Sequence, residues 1–110
     1  MRPLGERERR LRFVCTGRRS HDLTPIVTLS LSGPGVDGNY AFYVFQPKQV
    51  NERIRLIRTA LHERGIVLLP CGRCGPHKPR QAQDVRRYMR KRLSPGTVTS
   101  IDVSTGAKLP

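Results

Sequence analysis

The stretch LLPCGRCGPHK, residues 68–78, holds two of the three cysteines of this chain, Cys71 and Cys74. A C-x-x-C pair is typical either of a redox couple or of half a metal site. A redox couple of the thioredoxin type opens a helix, but here Gly75 and Pro76 follow the pair and the helical pattern begins only near residue 80. The glycines also allow backbone amides to turn toward the sulfurs, as in a zinc knuckle. The stretch therefore favours a metal site.

A structural zinc site has four ligands, drawn from cysteine and histidine. Cys15 ends a predicted strand, and His21 follows six residues later across a glycine-containing turn. With Cys71 and Cys74 they form the pattern C-x5-H…C-x2-C, which predicts one structural Zn²⁺. His77 is the rival fourth ligand, three residues beyond Cys74. Two simpler interpretations stay open: Cys15 as a small buried apolar residue, and a C-x-x-C pair without metal.

Length and composition predict a single zinc-stabilised domain over residues 1–110, with flexible ends at 1–9 and 105–110. Hydrophobic residues make up 36% of the chain and aromatic residues 5%, so the core is thin and a metal would help it. An odd number of cysteines argues against a closed disulfide framework and for a reducing, cytoplasmic location. No apolar run approaches the length of a membrane span.

Periodicity predicts an α+β fold in which a small antiparallel sheet is joined by two helices and a zinc-ribbon or treble-clef-like knuckle. One face of the first helix carries Val50, Ile54, Ile57 and Leu61, and Gly65 is placed to end it. The apolar face of the second helix carries Ala82, Val85, Met89 and Leu93. Pro79 suits the first turn of the second helix. The expected strands cover 10–17, 24–32, 40–46, 66–70 and 96–104, with a hairpin between the second and third, and the expected helices cover 49–65 and 80–93.

The charge is the strongest compositional signal, since 21 Lys and Arg against eight Asp and Glu give a net +13. A charge of this size draws a protein toward polyanions, and we expect nucleic-acid binding, to DNA or RNA, mainly through phosphates. The same charge suits an alternative, an interaction module that binds and modulates an acidic host protein surface. The residues expected to contact phosphates are Arg18, Arg19, Arg73, Lys78, Arg80, Arg87 and Lys91.

Catalysis is not expected from this sequence. Four protein ligands close a zinc site, whereas a catalytic zinc keeps an open position. The zinc-deaminase pattern needs H-x-E beside P-C-x-x-C, and His21 is followed by Asp22 and Leu23 instead. Asp22 is the one acidic residue beside a proposed ligand, and it could serve as the outer partner of His21.

Three segments carry a resemblance: RFVCTGRRSH near the start, PCGRCG in the middle, and VTSIDVS near the end. Together they resemble a group of small actinobacterial and actinophage proteins with a zinc-ribbon-like site. The resemblance covers both ends of the chain but not residues 33–64. It implies the metal ligands Cys15, His21, Cys71 and Cys74, and it implies no activity.

Overall fold

The computed structural model describes residues 4–45 and 51–105 and confirms an α+β fold with two helices. Three strands precede the first helix, two lie between the helices, and one strand and a short 3-10 turn, Val103–Thr105, follow the second helix. The strands are β1 (Glu8–Cys15), β2 (Thr24–Ser32), β3 (Ala41–Val44), β4 (Ile66–Cys71), β5 (Gly75–Gln81) and β6 (Thr97–Asp102), and the helices are α1 (Glu52–Arg64) and α2 (Ala82–Arg92).

Two sheets are present where one was expected. The larger has the order β3-β2-β1-β6, and the smaller is the β4–β5 hairpin. The expected β2–β3 hairpin is confirmed, and β1–β2 is also antiparallel, but β6 runs parallel to β1, with Arg9 opposite Thr97 and Val14 opposite Asp102. The larger sheet is therefore mixed, because β6 joins it only after the long crossover through both helices.

Capping interactions define both ends of helix α1. The side-chain Oδ1 of Asn51 accepts a hydrogen bond of 2.9 Å from the Ile54 amide, which caps the first turn. Gly65 adopts a left-handed conformation, φ 63°, and its amide donates to the carbonyls of Ala60 and Leu61. The expected start at residue 49 lies outside the described residues.

Strand β5 was not expected, and the second helix starts later than predicted. Residues 75–81 pair with β4, so Arg80 lies opposite Val67, and α2 begins at Ala82. Pairing with a neighbouring strand overrides the helical preference of this segment. Pro76 and Pro79 lack a backbone donor, but β5 belongs to a two-stranded sheet, where an edge position tolerates proline.

One apolar core joins both sheets and both helices. The predicted helix faces are confirmed, since Ile54, Ile57 and Leu61 of α1 are buried, as are Val85 and Met89 of α2. Phe13, Leu11, Leu29 and Leu31 from the central strands fill the space between them. The smaller sheet contributes Val67, Leu69 and Cys71.

A buried polar pair lies within β1. Glu8 and Arg10 are two residues apart and so project from the same face of the strand. The Glu8 Oε2 atom accepts hydrogen bonds from Arg10 Nε at 3.0 Å and from Ser30 Oγ at 2.6 Å. Glu8 is also the first residue of β1. Residues 8 and 9, which were expected within a flexible end, therefore belong to the larger sheet.

Candidate metal centre

Four side chains from distant parts of the chain converge beside the end of β1. The Sγ atoms of Cys15, Cys71 and Cys74 and a ring nitrogen of His21 all lie within 4.8 Å of one another. Cys15 Sγ is 3.5 Å from Cys74 Sγ and 3.6 Å from His21 Nε2, and Cys71 Sγ is 3.9 Å from His21 Nε2. All three cysteines are free thiols.

These distances match the edges of a tetrahedral site. With metal–sulfur bonds of about 2.3 Å and metal–nitrogen bonds of about 2.0 Å, the edges of a tetrahedron measure about 3.5–3.8 Å. Three of the six pairs in the cluster fall at 3.5, 3.6 and 3.9 Å. Soft thiolates with one imidazole are the donor set of structural zinc sites. The residues present therefore fit a single tetrahedral metal ion.

The β4–β5 hairpin supplies two of the donors through a tight turn. Cys71 ends β4 and Cys74 immediately precedes β5. Burial alone would raise the pKa of the Cys71 thiol, but the amides of Arg73 and Cys74 donate to its sulfur, and the neighbouring thiols add hydrogen bonds that lower the pKa to about 6. Backbone N–H groups aimed at a sulfur are what the glycine-rich CGRCG turn was expected to provide.

The Cys74 thiol behaves in the opposite way. Hydrogen bonds with the sulfurs of Cys15 and Cys71, burial of the Cys74 thiol, and the negative charge of the other two sulfurs raise the pKa of Cys74 to about 12. Three sulfurs this close cannot all ionise without a compensating cation. A bound divalent ion would supply that charge, because metal binding deprotonates coordinating thiols.

The loop from Cys15 to His21 supplies the other two donors. Gly17, Arg18 and Arg19 have φ values of 60°, 57° and 72°, so three consecutive residues are left-handed. This winding brings the Gly17 amide to 3.3 Å from Cys15 Sγ and lets the His21 amide donate to the Thr16 carbonyl at 3.1 Å. A left-handed conformation is costly for arginine, so other contacts must hold the loop.

Asp102 provides those contacts, and sequence reasoning missed it. Its carboxylate accepts hydrogen bonds from the Thr16 amide and hydroxyl and from the Ser104 amide and hydroxyl. Ser104 in turn accepts from the Arg18 amide at 2.9 Å through its hydroxyl, and from Arg18 Nε at 3.1 Å through its carbonyl. Asp102 lies 86 residues from Thr16, and no local spacing could have signalled the contact.

The ring of His21 is oriented by its neighbour. His21 Nδ1 lies 2.7 Å from the Asp22 carbonyl oxygen. A carbonyl only accepts, so Nδ1 carries the proton and the Nε2 lone pair faces the cysteines. The contact is made by the backbone carbonyl of Asp22, whereas the sequence had suggested Asp22 for its acidic side chain.

His77, the rival fourth ligand, also reaches the cluster. Its Nε2 atom lies 3.3 Å from Cys15 Sγ and 3.5 Å from Cys74 Sγ. His21 belongs to the set of four mutually close donors, and His77 does not. His77 thus lies within hydrogen-bonding distance of two sulfurs, next to the group of four donors that includes His21.

The seven basic residues expected to contact phosphates lie in the two loops that carry the metal-binding residues, on β5 and on α2. Arg18 and Arg19 lie in the Cys15–His21 loop and Arg73 in the hairpin turn, while Arg87 and Lys91 are four residues apart on α2; all five are exposed. Lys78 is exposed on β5, and Arg80 is half-buried on the same strand instead of opening the helix.

Across residues 4–45 and 51–105, no helix is both long and apolar enough to cross a lipid bilayer. Comparisons with protein families, with curated proteins and with solved structures each return no match for this chain.

Proposed function

We propose that this chain is a small zinc protein that binds nucleic acid, mainly through phosphate contacts. The observation that carries the proposal is that most of the candidate cations have no protein partner in the described part of the chain. Of the seven candidate residues, only Arg18 has a side-chain hydrogen bond within the described part of the chain, to the Ser104 carbonyl. The other six have neither a hydrogen bond nor an ion pair to their side chains there. Guanidinium and ammonium groups without protein partners are available to phosphates.

The metal would contribute to this function by holding the two loops that carry Arg18, Arg19 and Arg73 close together. Arg18 and Arg19 lie between the ligands Cys15 and His21, and Arg73 lies between Cys71 and Cys74. Ligands that converge on one ion bring these cations to the same end of the molecule. The role of Zn²⁺ is then structural, and with four protein donors no open coordination position remains for catalysis.

Salt dependence tests the phosphate contacts. Fluorescence anisotropy of the zinc-loaded protein with a labelled random duplex should give an affinity that falls steeply with salt. If six cations meet phosphates, the slope of log K against log salt should be about −5. A shallow slope, or the absence of binding at low salt, contradicts the proposal.

A matched pair of triple variants separates a specific surface from net charge. Arg18, Arg19 and Arg73 changed together to Gln should lower the affinity at least tenfold and flatten the slope by about 3. The control changes Arg55, Arg58 and Arg64, all exposed on α1, to Gln and removes the same charge. Equal losses in both variants would mean that net charge alone attracts the DNA.

The alternative function, an interaction module for an acidic host protein surface, draws its support from a different part of the molecule, an apolar groove beside α1.

A further inference from the structure

An open groove of about 660 Å³ lies between α1 and the β4–β5 hairpin. Its volume is within the range of about 300–1,000 Å³ that is usual for ligand pockets. No residue of α2 and no Phe or Tyr of the described chain lines it, whereas His77 does. Its apolar wall is formed chiefly by Leu56, Leu68, Leu69, Pro70, Pro76 and Pro79.

This wall is unusual for so polar a protein. Leu56 is 56% exposed although it lies in the middle of a helix that carries four arginines. Pro76 and Pro79 of the facing strand are also exposed. Isolated exposed apolar residues are ordinary, but a concave group of them beside charged residues is typical of an interaction site.

The charged residues at the groove are all basic. Arg53 and Lys78 line it, and no Asp or Glu does so in the described chain. Neither side chain has a hydrogen bond or ion pair among the described residues, and the Arg53 Nε atom is buried without a partner. An occupant that carries carboxylates would satisfy these cations, so the groove favours an acidic ligand.

We propose that this groove docks a short segment of a partner protein in which leucine-like side chains are flanked by carboxylates. The apolar wall would take the aliphatic side chains, and Arg53 and Lys78 would pair with the carboxylates at its edge. A nucleic acid fits less well, because base recognition relies on aromatic stacking, and among the described lining residues His77 is the single aromatic side chain beside six aliphatic residues and prolines of the wall. A second copy of this chain is disfavoured because it carries the same net charge of +13.

The docking surface does not include the arginines of the phosphate-binding loops, although His77 belongs to its lining and also contacts the Cys15 and Cys74 sulfurs. The groove is lined by α1 and the hairpin strands, whereas Arg18, Arg19 and Arg73 lie outside it. Lys78 is shared between the two surfaces, so it is a poor choice for a discriminating variant. Leu56 is the better choice, since its exposure makes the fold insensitive to a polar replacement.

The test is an anisotropy titration at about 150 mM salt, where exposed charges are screened beyond roughly 8 Å. The probe is a fluorescein-labelled ten-residue peptide of alternating acidic pairs and leucine pairs. Its control replaces each leucine with serine and keeps every charge. We expect the leucine peptide to bind at least tenfold tighter, and equal affinities would overturn the proposal.

Variants then locate the binding. Leu56→Gln should abolish the advantage of the leucine peptide, while Val98→Gln, at a similarly exposed position (54%) on β6, should preserve it. The Arg18, Arg19 and Arg73 triple variant should also preserve it while losing DNA affinity, so the two proposals fail separately. The proposal is overturned if Leu56→Gln has no effect or if the triple variant removes the advantage. It is also overturned if the wild type sediments as a dimer that Leu56→Gln dissociates, which would assign the groove to a second copy.

Discussion

Cys15 Sγ lies 3.5 Å from Cys74 Sγ although 59 residues separate them in the chain. Cys15 ends β1, one of the two inner strands of the larger sheet, whereas Cys74 lies in the turn of the smaller one. A metal held by both would therefore link the two sheets at the point where they meet. We therefore expect the stability of the whole domain to depend on such an ion, and the first prediction follows from this expectation.

Removing the metal should unfold most of the protein. A structural zinc supplies an apparent binding free energy of about 10–16 kcal/mol in small domains, more than the net stability usual at this size. Circular dichroism after treatment with a strong chelator should show loss of the cooperative thermal transition, and added Zn²⁺ should restore it. An unchanged transition after chelation would show that the core is stable without the ion.

The two histidines should differ in their effect on metal binding. We expect His21→Ala to weaken Co²⁺ binding more than 100-fold, because it removes a ligand, and His77→Ala to weaken it about tenfold, as loss of an outer hydrogen bond does. The visible absorption of Co²⁺ reports both affinity and tetrahedral geometry. His62→Ala, an exposed change on α1, is the control, and the reverse order of effects would make His77 the ligand.

Gly17→Ala should distort the loop that presents His21. Gly17 has φ 60°, and an added Cβ would clash with Ser20 Oγ and would lie 2.6 Å from His21 Cδ2 and 2.8 Å from His21 Nε2. A left-handed alanine costs about 1–2 kcal/mol, and the ring must also move, so metal affinity should fall at least tenfold. Gly72→Ala in the hairpin turn, where an added Cβ meets nothing within 4 Å, should leave the affinity nearly unchanged. Equal effects would show that the contact with His21 is unimportant.

Asp102→Asn should loosen the Cys15–His21 loop, because Asp102 accepts hydrogen bonds from Thr16. Hydrogen bonds to its carboxylate, outweighing burial, hold the pKa of Asp102 at about 2, so the group is charged at neutral pH. Loss of that charge should lower the unfolding free energy by about 1.5–3 kcal/mol and weaken metal binding. Asp37→Asn, in an exposed turn, is the control for removing one negative charge. A loss no larger than that of the control would show that Asp102 does not hold the loop.

Glu8 should give acid-sensitive stability. Burial would raise the pKa of this carboxyl, but hydrogen bonds from Arg10, Ser30 and the Gly5 amide lower it from 4.5 to about 2. A lowered folded-state pKa contributes stability that is present above pH 4.5 and is lost as the pH falls through about 2.

Glu8→Gln measures this contribution. At pH 7 the variant should unfold more easily, by on the order of 1–3 kcal/mol after allowance for solvent screening. Urea unfolding at pH 7, 4.5 and 3 should show the gap between wild type and variant narrowing as the pH falls, with metal loss in acid common to both. A gap independent of pH would mean that the ionised carboxylate contributes nothing.

Local sequence patterns were sufficient to predict a large part of this fold. The faces of both helices, the Gly65 end of α1 and the β2–β3 hairpin follow from spacing within a few residues, where chain geometry restricts the choices. The C-x-x-C turn could also be predicted locally, because its glycines and the two residues between its cysteines are typical of a metal knuckle. Cys15 and His21 could be proposed from the number of ligands that zinc requires.

The rest was decided by contacts between distant residues. Strand β5 exists because β4 pairs with it, and β6 is parallel to β1 because the crossover returns it in that direction. Asp102 reaches Thr16 only when the last strand lies beside the first, and the groove exists only where α1 meets the hairpin. The sequence by itself determined which residues could bind a metal. The tertiary structure decided which of them meet and what surrounds them, because pairing energies between distant segments do not appear in local spacing.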